Sequence, residues 1–196
     1  VSGPAGPGLL LASSSPRRLE LLRQARVEPD RVVSPEIDET LRPRELPRAY
    51  AARMAQAKAD VVAMRESGWL VLAADTVVAC GRRVLPKCLA VADAEQCLAL
   101  LSGRRHRVLG GVCVVAPDGR RATRVVETVV RFKRLTADET RRYLDSGEWY
   151  GKAGGYAIQG FAGSLIPWIN GSYTNVVGLP LVETLAMLRG LGWRDR

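Results

Sequence analysis

Apolar runs alternate with helix-spaced segments along most of this chain, and Gly, Pro and Asx residues separate them. Leu9–Ala12 is a short apolar run that predicts a strand. Pro16 then opens a helix to about Gln24, with Ser15 placed to cap it. Arg31–Ser34 suits a second strand. Over Pro47–Glu66 the residues Tyr50, Met54, Val61 and Met64 recur near helical spacing, and Gly68 stops the helix. Trp69–Ala74 is continuously apolar up to Asp75, which predicts a strand buried on both faces. Val77–Cys80 and Arg83–Leu85 flank Gly81-Arg82 as a hairpin.

Asp93 and Gln96 have the spacing of a capping box for a helix that Gly103 ends. Val108–Val115 and Arg121–Phe132 read as strands about the turn Pro117-Asp118-Gly119. Thr136 and Glu139 cap another helix, closed near Gly147. A Gly-rich loop, Gly147–Gly160, follows. Leu165–Ile169 and the segment after Asn170-Gly171 predict a last hairpin, and Pro180 opens the final helix. The fold class expected is α/β, with a mixed central sheet flanked by helices.

At 196 residues the chain suits one domain, or two lobes sharing one core, spanning residues 9–196. A chain of this size buries roughly 70% of its unfolded surface, so it needs no disulfide or metal to fold. Residues 1–8, small and Gly/Pro-rich, are expected to be a flexible terminus or an expression remnant. No stretch approaches the ~18 apolar residues of a membrane span. Cys80, Cys88, Cys97 and Cys113 form no CxxC pair, which points to reduced thiols in a cytoplasmic protein. The formal charge is +9, carried by 25 Arg and only 4 Lys dispersed along the chain. Without long basic tracts or interleaved aromatics, polynucleotide binding is the weaker reading, and a small anion is served equally well by a positive field.

Five segments carry candidate chemistry. In LLLASSSPRR a helix N-terminus presents unpaired N–H groups, Ser13, Ser14 and Ser15 add hydroxyls, and Arg17 and Arg18 add forked charges suited to phosphate. An ordinary Ser-Pro cap with surface arginines explains the same residues equally well. Asp75, followed by Thr76, ends an apolar strand where α/β ligands collect, and can hold a metal or take a proton from water. Glu36, Asp38 and Glu39 form an acidic cluster. Alternation puts Glu36 and Asp38 on one side, able to share a hard cation, although a solvated charge run is the plainer explanation. Lys58, Lys87, Lys133 and Lys152 persist in a chain that otherwise uses Arg, which suits point charges at a crowded phosphate. GKAGGYAIQG is no Walker loop, because Ala153 stands where Ser or Thr would bind magnesium. Its glycines permit close backbone approach, and Gln159 offers a donor and an acceptor to a base edge. A single histidine, His106, leaves no triad or zinc site, and no GxGxxG follows a strand.

In order, LASSSPRR, PEIDET, MAQAKA, AADTVV, LPK, LSGRRHRV, KAGGYAIQG and INGSYTNVVGLPL resemble the Maf family of nucleoside triphosphate pyrophosphatases, also called septum formation inhibitors. The resemblance runs from about Leu9 to Leu188. It implies an elongated, two-lobed α/β fold with a cleft, akin to inosine triphosphatases and often a homodimer. It also implies hydrolysis between the α and β phosphates with a divalent metal, Mg2+ or Mn2+. By position it implies Asp75 as general base, Ser13, Arg17, Arg18, Lys58 and Lys87 at the phosphates, and Glu36 and Asp38 as the acidic, metal-binding cluster. Arg17, Thr76 and Gln159 are similar to the branch acting on dTTP and UTP. Two positions depart from the family: Cys88 where Pro is usual, and Phe161 where many members have Arg or a small residue.

The expected partner is therefore a nucleotide. The alternatives are a house-cleaning pyrophosphatase for 7-methyl-GTP or another non-standard nucleotide, and a non-catalytic protein binding nucleic acid or cell-division partners. Asp75 beside the Ser/Arg turn favours an enzyme, since a polyanion binder gains nothing from carboxylates in its cleft.

Overall fold

A computed structural model describes residues 6–194. The expectation for the terminus falls outside the described residues as far as residue 5. Gly8 is already held to the sheet, its carbonyl accepting from Leu70 N at 2.9 Å.

The elements are β1 (Leu9–Ala12), α1 (Pro16–Gln24), β2 (Arg31–Val33), α2 (Pro47–Arg65), β3 (Leu70–Cys80), β4 (Arg83–Leu85) and α3 (Val91–Leu101). They continue with β5 (Arg105–Val115), β6 (Arg121–Arg131), α4 (Ala137–Asp145), a 3₁₀ turn (Phe161–Leu165), β7 (Trp168–Asn170), α5 (Tyr173–Val177) and α6 (Leu181–Gly190). One seven-stranded sheet has the order β2-β1-β3-β5-β6-β7, with β4 also on β3. β1 pairs parallel with β2 and β3, while β3, β5, β6 and β7 pair antiparallel, so the sheet is mixed.

The expected break at Asp75 does not occur. β3 is one strand of 11 residues that runs through Asp75, because β5 pairs with it from Val71 to Ala79 on one edge. The opposite edge is shared: β1 covers Leu70–Ala73 and β4 covers Val78–Cys80. Ala74–Val77 therefore lacks a strand partner on that side, and this gap positions the site.

Helices cover both faces. On one face Ala55, Ala59 and Val62 of α2 pack on Leu10, Val71, Ala73 and Cys113. The buried side of α2 is Ala51, Met54, Ala55, Lys58, Ala59 and Val62; of the expected Tyr50, Met54, Val61 and Met64, Met54 is buried, Tyr50 and Val61 are half-buried and Met64 is 79% exposed. Small residues win there because the helix lies close to β5: a Cβ on Gly111 would stand 2.1 Å from Ala51 O. On the other face Leu9, Leu11, Leu70, Leu72 and Ala74 join residues of α1 and α6. A further core of Leu98, Phe132, Tyr143, Trp149 and Tyr156 supports the Gly-rich loop.

Two other expectations are corrected. Asp93 is the third residue of α3 rather than its cap, accepting from the N–H of Ala90 at 3.1 Å. The segment after Asn170-Gly171 is helical α5 rather than a strand, because Ser172 Oγ accepts from Asn175 N at 3.2 Å and starts a turn.

Candidate active site

The gap in the β3 edge opens beyond the carboxyl end of β1, where ligands of open α/β sheets collect. Strand alternation turns Asp75 toward α2 and Thr76 toward α1 and α5. Lys58 Nζ donates to Asp75 Oδ1 at 2.6 Å, and both side chains are buried. The same ammonium pairs with Glu39 Oε1 at 2.6 Å, and Lys87 Nζ pairs with Glu39 Oε2 at 2.6 Å. Asp75, Lys58, Glu39 and Lys87 thus form a chain of alternating charge. Burial alone raises the Glu39 carboxyl, but the two lysines outweigh it and hold it at about 2. Tyr50 fixes the segment by donating its hydroxyl to Glu39 O at 2.7 Å.

Arg18 is buried, with its donors directed into the protein. Its Nε donates to Gly178 O at 3.0 Å, Nη1 to Ser13 Oγ at 3.0 Å and Nη2 to Thr76 Oγ1 at 3.2 Å. Thr76 Oγ1 in turn donates to Gly178 O at 3.4 Å. Both residues line the cleft, yet their polar atoms bind α1, β3 and the end of α5 together. Ser15 stands at the N-cap of α1 without a side-chain cap bond; its N–H donates to Ser13 Oγ at 3.1 Å instead. Arg17 differs from Arg18. Its Nε is buried without a hydrogen-bond partner, and desolvation lowers its pKa.

The cleft has a volume of about 480 Å³ and is lined by Ser13, Arg17, Arg18, Lys58, Asp75, Thr76, Lys87 and Gln159, all expected from the sequence. Glu36 and Asp38 are not among its walls. They do share one side of an extended segment, but it is the outer one, and Asp38 Oδ1 accepts from Thr40 N at 2.9 Å. The alternation is right and its phase is opposite, so Pro35 and Glu39 face the cleft. Lys152, singled out among the four lysines, also lines it, and so do Tyr150 and Tyr156 of the Gly-rich loop, which the sequence did not assign. A second recess of about 340 Å³ lies beside Glu39, Tyr50 and Leu85. His106 is buried with Nε2 2.7 Å from Tyr156 Oη, and burial lowers it to about 4, so it stays neutral in the core.

Among the described residues no group of three or more His, Cys, Asp or Glu could hold a metal alone. The donor set nevertheless fits Mg2+ or Mn2+, because Glu39 and Asp75 converge on one ammonium and Mg2+ is held by one or two carboxylates plus substrate phosphates. Five cationic side chains and two carboxylates line the cleft.

An α/β protein with five cations and two carboxylates in one cleft has the charge to receive a multiply charged anion there. This chain belongs to the Maf-like protein family, whose model matches residues 8–191. It is 60% identical over 190 residues to the dTTP/UTP pyrophosphatase of Caulobacter vibrioides, covering 97% of this chain and 98% of that protein. It is 58% identical to the dTTP/UTP pyrophosphatase of Paramagnetospirillum magneticum (94% and 97% covered) and 55% identical to that of Mesorhizobium japonicum (95% and 92% covered). Among the described residues no helix is long and apolar enough to cross a membrane, and all four cysteines are free thiols.

Proposed function

We propose that this protein hydrolyses dTTP and UTP to the nucleoside monophosphate and pyrophosphate with the help of a divalent cation. The observation that carries the reading is the Asp75–Lys58–Glu39 cluster at the open edge of β3, next to the unpartnered Arg17. Asp75 takes a proton from water as its oxygen bonds to the α-phosphorus. The bond from that phosphorus to the bridging oxygen breaks, and its electron pair leaves with pyrophosphate. Lys58 holds the Asp75 carboxylate in place, and the N-terminus of α1 with Ser13, Ser14 and Arg17 faces the phosphates. Glu39, beside Asp75, would hold Mg2+ or Mn2+, which supplies positive charge to the phosphate oxygens when bound.

The pyrimidine preference is supported by the names of the relatives and by Gln159. Its amide accepts from N3–H and donates to a carbonyl, a pairing that uracil and thymine complete and cytosine does not. Thr76 acts by shape, since its hydroxyl is engaged by Arg18 and Gly178.

A panel of UTP, dTTP, CTP, GTP and 7-methyl-GTP with Mg2+ or Mn2+ tests this, scoring pyrophosphate separately from orthophosphate. One pyrophosphate per monophosphate is expected, with UTP and dTTP highest in kcat/KM and no turnover in EDTA. Release of orthophosphate and a nucleoside diphosphate would overturn the assigned bond, and a lead for 7-methyl-GTP the assigned base.

A further inference from the structure

The cleft's cations fall into two groups by whether the protein already satisfies them. Lys58 and Lys87 are neutralised by Asp75 and Glu39, and Arg18 donates to three protein oxygens. Arg17 and Lys152 form the other group. Among the described residues neither is in an ion pair, although the Glu148 charge acts on Lys152 from a distance; Arg17 Nε is buried with nothing to bond, and Lys152 Nζ makes one hydrogen bond, to Tyr150 O at 3.0 Å. An ammonium carries three donors. The cleft is therefore polarised, compensated at the Asp75–Glu39 end and left with two like charges at the other.

We propose that Lys152 is a substrate-binding residue that forms, with Arg17, the subsite for the pyrophosphate leaving group. The proposal rests on the pyrophosphatase reading above. Two like charges lining one cleft repel one another, and a diphosphate bridging them removes that cost. Both side chains line the same cleft, and burial, then the Arg17 charge, lower the pKa of Lys152 against the opposing pull of Glu148. As the bond to the α-phosphorus breaks, negative charge grows on the β-phosphate oxygen that departs, and a fixed ammonium there stabilises it.

The ammonium stands on fixed backbone. Cys88 N donates to Lys152 O at 3.1 Å, Gly151 N to Cys88 O at 2.8 Å and Gly154 N to Pro86 O at 2.9 Å, and Ala153 bridges Lys87. Gly154 has φ +67°, and a Cβ there would meet Val78 Cγ1 at 2.8 Å, so the loop lies against β3. Lys87 and Lys152 thus approach the cleft from paired segments, one facing Glu39 and the other Arg17.

The test is calorimetric binding of pyrophosphate and, separately, of UMP, each with Mg2+, to wild type, Lys152→Gln and Lys152→Arg, with UTP turnover of the wild type measured alongside. Lys152→Gln is expected to weaken pyrophosphate about tenfold or more while UMP changes less than about twofold, and Lys152→Arg to restore most of the loss. Arg17→Gln should also weaken pyrophosphate, and its loss should not add to that of Lys152→Gln. Unchanged pyrophosphate affinity in a folded Lys152→Gln protein, or equal losses for UMP and pyrophosphate, would overturn the subsite. If Lys152→Gln does not fold, Lys152→Arg and Arg17→Gln decide it: pyrophosphate affinity kept by the first and lost in the second supports the subsite, and retention in both overturns it. A wild type that turns UTP into UMP and pyrophosphate while the variants keep pyrophosphate affinity refutes the subsite alone; a wild type without that turnover refutes the parent reading.

Discussion

Asp75 and Thr76 are neighbours with different tasks because a strand turns successive side chains to opposite faces. Asp75 meets Lys58 on the α2 side, and Thr76 meets Arg18 and Gly178 on the other. Asp75→Asn keeps the shape and an oxygen for Lys58 but removes the base. Its kcat is expected to fall by about 10²–10⁴ while substrate binding survives. Thermal melting checks that the fold is intact, and a kcat within about tenfold of wild type would show that water is activated elsewhere. Asp75 was legible because a lone carboxylate inside an apolar run has few structural excuses. Glu39 was visible only as one of three acids, since the order of charges does not say which side of an extended segment meets the protein. The tether that sets the phase, Tyr50 Oη on Glu39 O, comes from a different element. Arg17 and Arg18 read alike for the same reason: only packing shows that Gly178, Ser13 and Thr76 engage one of them and leave the other free.

Among the elements, β5 sets how closely the helices approach. Gly111 sits opposite Asp75 and Gly110 opposite Thr76. A Cβ on Gly111 would strike Ala51 O of α2 at 2.1 Å, and one on Gly110 would strike Asn175 Oδ1 of α5 at 1.9 Å. The glycine pair lets both helices close on the strand directly behind the site. Gly111→Ala is expected to push α2 outward, destabilising the fold by about 1–3 kcal/mol through overpacking. Because α2 carries Lys58, kcat/KM for UTP should fall as well. Gly119→Ala is the comparison for an open position: no atom lies within 4 Å of its Cβ, although its φ of +85° brings backbone strain. Equal melting temperatures for wild type and Gly111→Ala would show that α2 has room. Most elements were legible from periodicity and punctuation, including β1, α1, α4 and the β5–β6 hairpin. The failures share a cause. A polar residue inside β3 looked like its end because the partner strand that carries the ladder past Asp75 lies some forty residues on. Asn170-Gly171 looked like a hairpin turn because the cap at Ser172 competes only weakly in the sequence.

On the scale of the whole molecule, the net charge of +9 and the polarised cleft need separate accounts. Many arginines are paired across the surface, as in Arg31–Glu66, Arg121–Asp60 and Arg141–Asp138. These exposed pairs contribute only ~0–1 kcal/mol each to stability, but each offsets an arginine that would otherwise be available to a polynucleotide. The RRHR run likewise dissolves in the fold, for alternation along β5 buries His106 and turns Arg105 outward. The sequence could count these charges but could not place them, because the sheet order that brings β1, β3 and the Gly-rich loop to one cleft depends on long-range pairing. Concentrated in a cleft, the excess positive charge should draw in a triphosphate through a field that salt screens over about 10 Å at 0.1 M. Raising NaCl from about 0.05 to 0.5 M at fixed free Mg2+ is therefore expected to lower kcat/KM for UTP several-fold, acting mainly through KM. The kcat should stay within about twofold, since groups already in contact are screened little. Poly(U) binding, measured over the same range, should be weak at every salt concentration. A kcat/KM indifferent to salt, together with tight poly(U) binding that falls steeply as log salt rises, would mean that the positive surface serves a polynucleotide after all.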